Sequence, residues 1–238
     1  MIEIDGAQGE GGGQVLRTAL SLSLATRRPF RIENIRGMRR RPGLRPQHLT
    51  AVLAARDIAS AVVNGASVGS RELTFEPRGL RSGDYAFDIG TAGSTSLVAQ
   101  TLIPALIQAA STSTLALEGG THNPSSPPFE FLNQSYLSVL RAMGVRTSAT
   151  LKRYGFYPAG RGRLDLSIEP CGALLSLVLT RRGRLIDKQA TAIVASLPRT
   201  IAERELRTVA DELGWHGPAL RVHEVMKSAG PGNALILT

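Results

Sequence analysis

The chain has almost no cysteine, very little lysine and no long apolar run. Its 238 residues include one cysteine, Cys171, which excludes an internal disulfide framework and is typical of a reducing cytoplasm. The opening residues MIEIDGAQ lack a basic segment followed by an apolar one, so they predict no secretory signal. The most apolar segment, residues 97–110, is interrupted by polar residues and proline and is too short to span a bilayer. These absences predict a soluble, cytoplasmic protein without a membrane segment.

Acidic residues are also scarce relative to basic ones. The chain has 28 Lys and Arg against 19 Asp and Glu, a net charge of +9, and only three of the basic residues are Lys. Arginine has a planar guanidinium suited to bidentate phosphate contacts, although an arginine-rich codon usage explains the total equally well. Clustering is the stronger signal, because residues 34–47 contain five arginines and no acid. The charge therefore favours polyanionic partners such as nucleic acid or nucleotide.

A glycine-rich stretch, GAQGEGGGQVLR, occupies residues 6–17. Glycines before an apolar helix commonly hold phosphate, because the N–H groups at a helix N-terminus point at the anion. Glu10 stands inside this stretch. A carboxylate fits an anion site if a cation lies between them, but Glu10 could also complement the helix dipole. The common nucleotide motifs GxxxxGK[ST] and GxGxxG do not match.

The first part of the chain contains an internal repeat. Each unit reads strand, glycine turn, helix, strand, loop and helix, with a spacing of about 83 residues between the matching Gly37 and Gly120. Further strand-like runs, VGSRELTFEP and VRTSATL, close the two units. This pattern predicts an α/β sandwich of repeated βαβαββ-type units with helices on one face.

The pattern changes in the last quarter of the chain. LDLSIEP, after Arg163, reads as the opening strand of a third unit. From about residue 180 the chain predicts a βαββ segment whose helix places Leu206, Val209 and Leu213 on one face. We therefore predict a repeat-built domain over residues 1–179, with two full units and the start of a third, and an incomplete small inserted domain over residues 180–238.

Five segments, in order along the chain, resemble the RNA 3'-terminal phosphate cyclase family: DGAQGEGGGQVLR, IRGMRRRPGLRPQHLTAV, IGTAGSTSLVAQT, GGTHNPSSPP and RYGFYPAGRG. The resemblance covers residues 2 to about 238. It implies a domain of repeated units like those of the C-terminal domain of translation initiation factor three and of enolpyruvyl transferases, with a smaller inserted domain.

The resemblance also implies a ligase reaction. Family members use ATP and a divalent metal, Mg²⁺ or Mn²⁺, to convert an RNA 3'-phosphate into a 2',3'-cyclic phosphate, through enzyme-AMP and RNA-adenylate intermediates. RNA 3'-phosphate ends are then the partners. Non-cyclising relatives bind RNA and act in ribosomal RNA processing, and this remains the alternative function. An enolpyruvyl transferase activity is a more distant third.

The resemblance assigns roles to individual residues. Glu10 corresponds to the family's metal-holding acid. The residues that correspond to contacts with ATP or with phosphate are Arg17, Arg36, Arg39, Gln47, His48, Gln100 and Pro127. For His48 we predict a neutral hydrogen-bond donor, since a helix start disfavours a cationic ring; a structural histidine bonded to backbone is the alternative.

Three features depart from the family pattern or lie outside it. Tyr154 stands where the family has His or Arg, and Arg161 replaces the middle of three glycines, at a position that could require positive φ. The family's nucleophilic histidine is expected beyond Thr238, so no catalytic residue is identified among the four histidines. His122 is predicted to be a surface residue, and His216 and His223 to be structural or exposed.

Overall fold

The first repeated unit forms a four-stranded sheet and two helices in the computed structural model, which describes residues 1–238. Its elements are β1 (Ile2–Asp5), α1 (Gly13–Thr26), β2 (Phe30–Glu33), α2 (Pro46–Ala59), β3 (Val62–Asn64) and β4 (Leu73–Glu76). The strand order is β1-β2-β4-β3, with β1 and β2 parallel and the other pairs antiparallel. Alternate residues of β2 and β4 are buried, so the sheet has one buried face.

The second unit has the same arrangement. It contains β5 (Asp84–Asp88), α3 (Thr95–Leu106), β6 (Ser113–Gly119), a π-helical stretch (Phe131–Tyr136) that continues into α4 (Leu137–Ala142), β7 (Thr147–Arg153) and β8 (Gly162–Ile168). The order β5-β6-β8-β7 again has one parallel pair followed by two antiparallel pairs. The predicted mixed α/β fold of repeated βαβαββ units is therefore confirmed.

The two units share one hydrophobic core. Helices α1, α2 and α3 contact one another, and a single cluster of 32 buried residues draws on both sheets. Burial of this apolar surface holds the two repeats together, since either unit alone would expose the helix faces that the other covers. None of the helices combines the length and the apolarity that crossing a membrane requires.

The last segment has the predicted βαββ pattern. It consists of β9 (Ala190–Ala195), α5 (Arg199–Leu213), β10 (Leu220–Val225) and β11 (Gly232–Leu237), with strand order β10-β9-β11. Leu206 and Val209 of α5 are buried in a small cluster with β9, whereas Leu213 is exposed. Residues 169–189 contain no helix or strand. The domain boundary near residue 180 remains a prediction.

The prediction that LDLSIEP opens a third unit is wrong. This segment lies in β8, which pairs antiparallel with both β6 and β7 and so becomes an inner strand of the second sheet. Its alternating residues Leu164, Leu166 and Ile168 are buried in the shared core. The apolar alternation identified a strand correctly, but a period of two carries no information about which sheet a strand joins.

Phe156 joins the second unit to the small βαββ segment. Its ring is buried with Ile193 and Ala195 of β9, and a Cβ added at Gly232 of β11 would overlap the ring. Glycine is therefore required at position 232 for β11 to lie against the aromatic side chain. The buried face of β9 that does not contact α5 is covered in this way.

We expect Phe156→Ala to lower the free energy of unfolding by about 3–5 kcal/mol, because it removes a buried ring and leaves a cavity. Tyr157→Ala is the matched control, since the adjacent ring is 68% exposed and its loss should change stability by no more than about 0.5 kcal/mol. Urea unfolding monitored by circular dichroism measures both. Equal effects of the two substitutions would contradict the assigned role of Phe156.

Candidate functional site

The glycine-rich turn before α1 forms one wall of a cavity of about 800 Å³. The arginine-rich loop and the start of α2 contribute further polar side chains, and Ser125 adds one from the second unit. Its polar side chains include six of the eight predicted site residues, Glu10, Arg17, Arg36, Arg39, Gln47 and His48. The structure therefore brings these six residues together, although they come from a helix start, a loop and a second helix start.

The backbone of the turn is suited to an anion. Gly12, at the N-cap of α1, has no side chain to cap the helix, so the first N–H groups of α1 are not used by a cap. Gly11 has φ +53, and a Cβ added at Gly13 would overlap Nε2 of His48. Glycine thus allows the chain to turn and the helix start to approach the imidazole closely. Free N–H groups at a helix N-terminus attract phosphate.

Two arginines are held in place by hydrogen bonds to their surroundings. Arg17, one turn into α1, donates to Oε1 of Gln14 at 2.8 Å. Arg36 donates from one nitrogen to the carbonyl oxygens of Arg41 at 2.7 Å and Gly43 at 3.0 Å. Arg36 therefore stabilises the loop that carries it, and both guanidinium groups retain further N–H donors for a ligand.

The same arginines are placed where their charge is costly. Burial lowers the pKa of Arg17, and burial together with the charges of Arg45 and Arg39 lowers the pKa of Arg36. Partly desolvated cations of like charge repel one another, and a bound polyanion relieves both the desolvation and the repulsion. The electrostatics of the cavity therefore favour phosphate ligands.

His48 is buried at the start of α2 and is neutral. Burial, followed by the nearby charges of Arg36, Arg17 and Arg45, lowers its pKa to about 3. Its Nδ1 accepts a hydrogen bond from the N–H of Arg45 at 3.2 Å, so the neutral ring carries its proton on Nε2, beside Gly13. This geometry agrees with the predicted neutral donor and also includes the backbone contact of the alternative interpretation.

Glu10 is the one carboxylate that lines the cavity, at its rim. Its side chain is 92% exposed and lies 3.1 Å from a guanidinium nitrogen of Arg39. No group of three or more His, Cys, Asp or Glu side chains that could hold a metal occurs in the structure. A single exposed carboxylate fits Mg²⁺, which protein sites commonly bind through one carboxylate together with substrate phosphates and water. The metal role of Glu10 remains a prediction.

The two remaining predicted residues lie outside this cavity. Gln100 of α3 lines an adjoining cavity of about 320 Å³ that shares Arg17 and Leu97 with the first. Pro127 lines neither of these cavities, although Ser125, two residues earlier, lines the first. The structure thus brings Gln100 close to the arginines and leaves Pro127 one loop segment away.

A third cavity, of about 360 Å³, was not predicted from the sequence. It shares Gln47, Leu97 and Ser125 with the arginine cavity and is also lined by Asn123 and Tyr157. Gln47 accepts a hydrogen bond from the N–H of Ser94 at 2.7 Å, which fixes the wall between the two spaces. Tyr157 lies in an irregular segment, so no periodicity in the sequence pointed to it.

The prediction that His122 is a surface residue is wrong. Its side chain is 1% exposed, its Nε2 lies 2.8 Å from the carboxylate of Glu130, and its ring stacks on Tyr154 with centroids 5.0 Å apart. Burial opposes ionisation of Glu130, but the hydrogen bond to His122, the charge interactions with His122 and His223 and a backbone hydrogen bond together outweigh it and lower the pKa of this carboxyl. The ring of His122 is covered by Tyr154, and a comparison of motifs does not reveal this contact.

His216 and His223 are exposed, although His223 contacts Tyr154.

Arg161 has φ +54, so the position does require the left-handed conformation that a glycine would adopt more easily. The side chain of Arg153 donates to the Arg161 carbonyl and holds it there. Arg161 lines a separate small cavity with Asp88 and Glu118 and not the arginine cavity.

The neutral state of His48 makes stability depend on pH. Its pKa is about 3 in the folded chain and about 6.5 when unfolded, so between these values the unfolded chain binds the extra proton. The free energy of unfolding should therefore show no loss from His48 above about pH 6.5, and it should fall by up to about 1.4 kcal/mol per pH unit below that pH. Urea unfolding at stepped pH should give a smaller slope for His48→Gln. His216→Gln, which removes an exposed histidine, is the matched control, and equal slopes for His48→Gln and the unsubstituted chain would contradict this assignment.

The chain is similar over most of its length to proteins of one known family. The chain is 53% identical over 237 residues to the RNA 3'-terminal phosphate cyclase of Koribacter versatilis (strain Ellin345), covering 100% of this chain and 67% of that protein. It is 52% identical over 236 residues to the cyclase of Ectopseudomonas mendocina (strain ymp), covering 99% and 68%. Among solved structures, the enolpyruvyl transferase NikO from Streptomyces tendae matches with a TM-score of 0.37 and 14% identity, over 94% of this chain and 44% of that one. The model of the family RNA 3'-terminal phosphate cyclase matches residues 8–214, and the chain belongs to this family.

Proposed function

We propose that this chain serves the ATP-dependent conversion of an RNA 3'-phosphate to a 2',3'-cyclic phosphate. The observation that carries the proposal is the convergence of Arg17, Arg36 and Arg39 with the uncapped start of α1 in one cavity. This combination of guanidinium and backbone donors is suited to phosphate oxygens, which both substrates carry.

The proposed reaction has three transfers. A histidine that is none of the four in residues 1–238 attacks the α-phosphorus of ATP, forms enzyme-AMP and releases pyrophosphate. The AMP then passes to an oxygen of the RNA 3'-phosphate, which frees the histidine. Finally the 2'-hydroxyl of the RNA, as it loses its proton, attacks the 3'-phosphorus and AMP leaves. Capping with AMP is needed because an oxygen of a phosphate monoester is a poor leaving group.

The residues of the arginine cavity supply binding and charge stabilisation in this scheme. Arg17, beside the helix start, contacts the phosphates of ATP, while Arg36 and Arg39 extend from the loop toward the RNA 3'-phosphate. Gln100, in the adjoining cavity, contacts the adenosine. Pro127 lines neither cavity, and its assignment to the base rests on the family resemblance alone. Preorganised donors of this kind stabilise the charge that develops on transferring phosphoryl oxygens.

His48 is proposed as a donor and not as the nucleophile. Its Nδ1 is occupied by the Arg45 N–H, and the proton on Nε2 leaves the ring no free lone pair to attack phosphorus. A neutral donor beside three arginines contributes a directed hydrogen bond to a phosphate oxygen. The proposal assigns the covalent step to none of the described histidines.

Glu10 is proposed to hold Mg²⁺ or Mn²⁺ at the rim of the cavity. A bound cation would supply positive charge between the Glu10 carboxylate and phosphate oxygens. Arg39, which pairs with Glu10 at 3.1 Å, keeps the carboxylate oriented in the absence of the cation. Because the cation would offset the repulsion between the two negative groups, a carboxylate can lie beside a bound phosphate.

The arginine assignment predicts a contrast within one loop. Arg39→Ala should weaken binding of a 3'-phosphorylated oligoribonucleotide about 10- to 100-fold, since it removes a charged hydrogen-bond partner worth about 1.5–3 kcal/mol. Arg40→Ala is the matched control, because the adjacent side chain carries the same charge but does not line the cavity. Fluorescence anisotropy measures both. Equal losses would mean that the loop acts only as a diffuse basic surface.

The metal assignment predicts that Mg²⁺ strengthens ATP binding through Glu10. Isothermal titration calorimetry with and without Mg²⁺ should show tighter binding with the cation for the unsubstituted chain and a smaller gain for Glu10→Gln, which has nearly the same shape without the charge. Glu72→Gln, at an exposed acid outside the cavity, is the control. An undiminished Mg²⁺ effect in Glu10→Gln would exclude this carboxylate as the ligand.

The reaction itself is tested with α-labelled ATP, Mg²⁺ and an oligonucleotide ending in a 3'-phosphate. None of the four histidines is assigned the covalent step, so residues 1–238 should retain no label covalently, and label attached to His48 would contradict its assignment as a donor. RNA binding that requires the 3'-phosphate, together with binding of ATP, supports the proposal. RNA binding that is tight, salt-sensitive and indifferent to both ATP and the 3'-phosphate would instead favour a non-catalytic RNA-binding function.

A further inference from the structure

We propose that Tyr157 is a stacking platform for the base of the 3'-terminal nucleotide of the RNA, an inference that rests on the function proposed above. The platform lies in the cavity of about 360 Å³ that opens beside the arginine cavity. Nothing in the sequence motifs assigns a role to this residue.

The exposure of Tyr157 is the first observation. Only two of the aromatic side chains are exposed, Phe131 at 49% and Tyr157 at 68%. A single exposed aromatic residue needs no explanation by itself, but Tyr157 lines a concave space large enough for a small ligand, in the usual range of about 300–1,000 Å³. Unstacked bases at RNA ends are commonly bound by such aromatic faces.

The connection between the cavities is the second observation. Gln47, Leu97 and Ser125 line both the arginine cavity and the Tyr157 cavity. A 3'-phosphate is attached to the ribose of the last nucleotide. If the arginines hold this phosphate, the base of the same nucleotide must lie in a space that adjoins the arginine cavity. Ser125, which lines both cavities, is the residue we assign to the ribose between the phosphate and the base.

The separation from the nucleotide site is the third observation. The cavity lined by Gln100 shares Arg17 and Leu97 with the arginine cavity but neither Gln47 nor Ser125. Leu97 lines all three cavities, but Arg17 is shared only with the Gln100 cavity and Gln47 and Ser125 only with the Tyr157 cavity, so the two spaces adjoin the arginine cavity through partly different residues. The adenosine of ATP occupies the space beside Gln100, and the RNA terminus occupies the space beside Tyr157.

The backbone around Tyr157 is fixed, so the ring is available without a large ordering cost. The preceding Phe156 is buried against β9, and the N–H of Gly160 donates to the Phe156 carbonyl at 2.7 Å. Among the other residues that line the cavity, Asn123 donates to the Ala92 carbonyl and Gln47 accepts from the Ser94 N–H. A preformed cleft loses less free energy on binding than a flexible one.

The test uses a 5'-fluorescent oligoribonucleotide with a 3'-phosphate, measured by anisotropy without ATP. Tyr157→Ala should bind about 5- to 100-fold more weakly, the range reported by alanine substitution of stacking side chains. Tyr157→Phe keeps the ring and should bind within about twofold of the unsubstituted chain. Phe131→Ala is the matched control, since it removes an exposed ring that does not line the cavity, and unfolding in urea checks that each variant is folded.

A second oligonucleotide, abasic at its 3'-terminal position, isolates the stacking contact. The unsubstituted chain and Tyr157→Ala should bind it equally well, because the base that the ring contacts is absent. Unchanged affinity of Tyr157→Ala for the intact oligonucleotide, or an equal loss for both oligonucleotides, would overturn the proposal. Weakened ATP binding with unchanged RNA binding would also overturn it, since the ring would then belong to the nucleotide site.

Arg39→Ala separates this proposal from the function on which it rests. It should weaken binding of the intact and the abasic 3'-phosphorylated oligonucleotides by the same factor. If Arg39→Ala has no effect, the proposed phosphate site is wrong, whatever Tyr157 does. If Arg39→Ala weakens binding and Tyr157→Ala does not, the phosphate site stands and only the stacking platform is wrong.

Discussion

The two residues at the start of α2 hold the site together, because each reaches the glycine turn of a different repeat. His48 lies against Gly13 of the first turn so closely that no Cβ fits there, and Gln47 accepts the Ser94 N–H at the second turn. The helix that carries both is buried in the core that the two units share. Packing of that core therefore sets the position of the cavity walls, and the site depends on the stability of the repeat pair as a whole.

The charge arrangement in the cavity follows from this packing. Arg17 and Arg36 lose part of their hydration, and the nearby His48 is kept neutral, so the cavity concentrates positive charge without placing a fourth cation in it. An empty cavity of this kind is electrostatically unfavourable, and an anionic ligand removes the cost. Glu10 is the exception: it lies at the exposed rim, where it pairs with Arg39 at 3.1 Å and is accessible to a hydrated cation.

Much of the fold was predictable because it depends on local pattern, and the site residues were proposed because they lie in motifs at two helix starts and the loop between them. The βαβαββ repeat and the later βαββ segment followed from periodicity and glycine turns. The partner of β8 did not, since alternation identifies a strand but not its sheet. The burial of His122 depends on the stack with Tyr154 and the bond to Glu130, eight residues away, and the cavity at Tyr157 depends on contacts between segments distant in sequence. Such tertiary arrangements have no period that could reveal them.

The shared element order and sheet topology of the two repeats raise the question of why only one of the two glycine turns lines the arginine cavity. In the first unit the turn has no side chain at its N-cap and opens onto the arginine loop. In the second, Ser94 caps α3 with its own hydroxyl, and its N–H is taken by Gln47, whose Cβ leaves no room for a side chain at Gly93. The helix start that would attract an anion is thus satisfied internally. The first repeat supplies an open helix N-terminus, and the second supplies the closed wall beside it. The two similar units therefore form one phosphate cavity, and the Tyr157 cavity lies on the other side of Gln47.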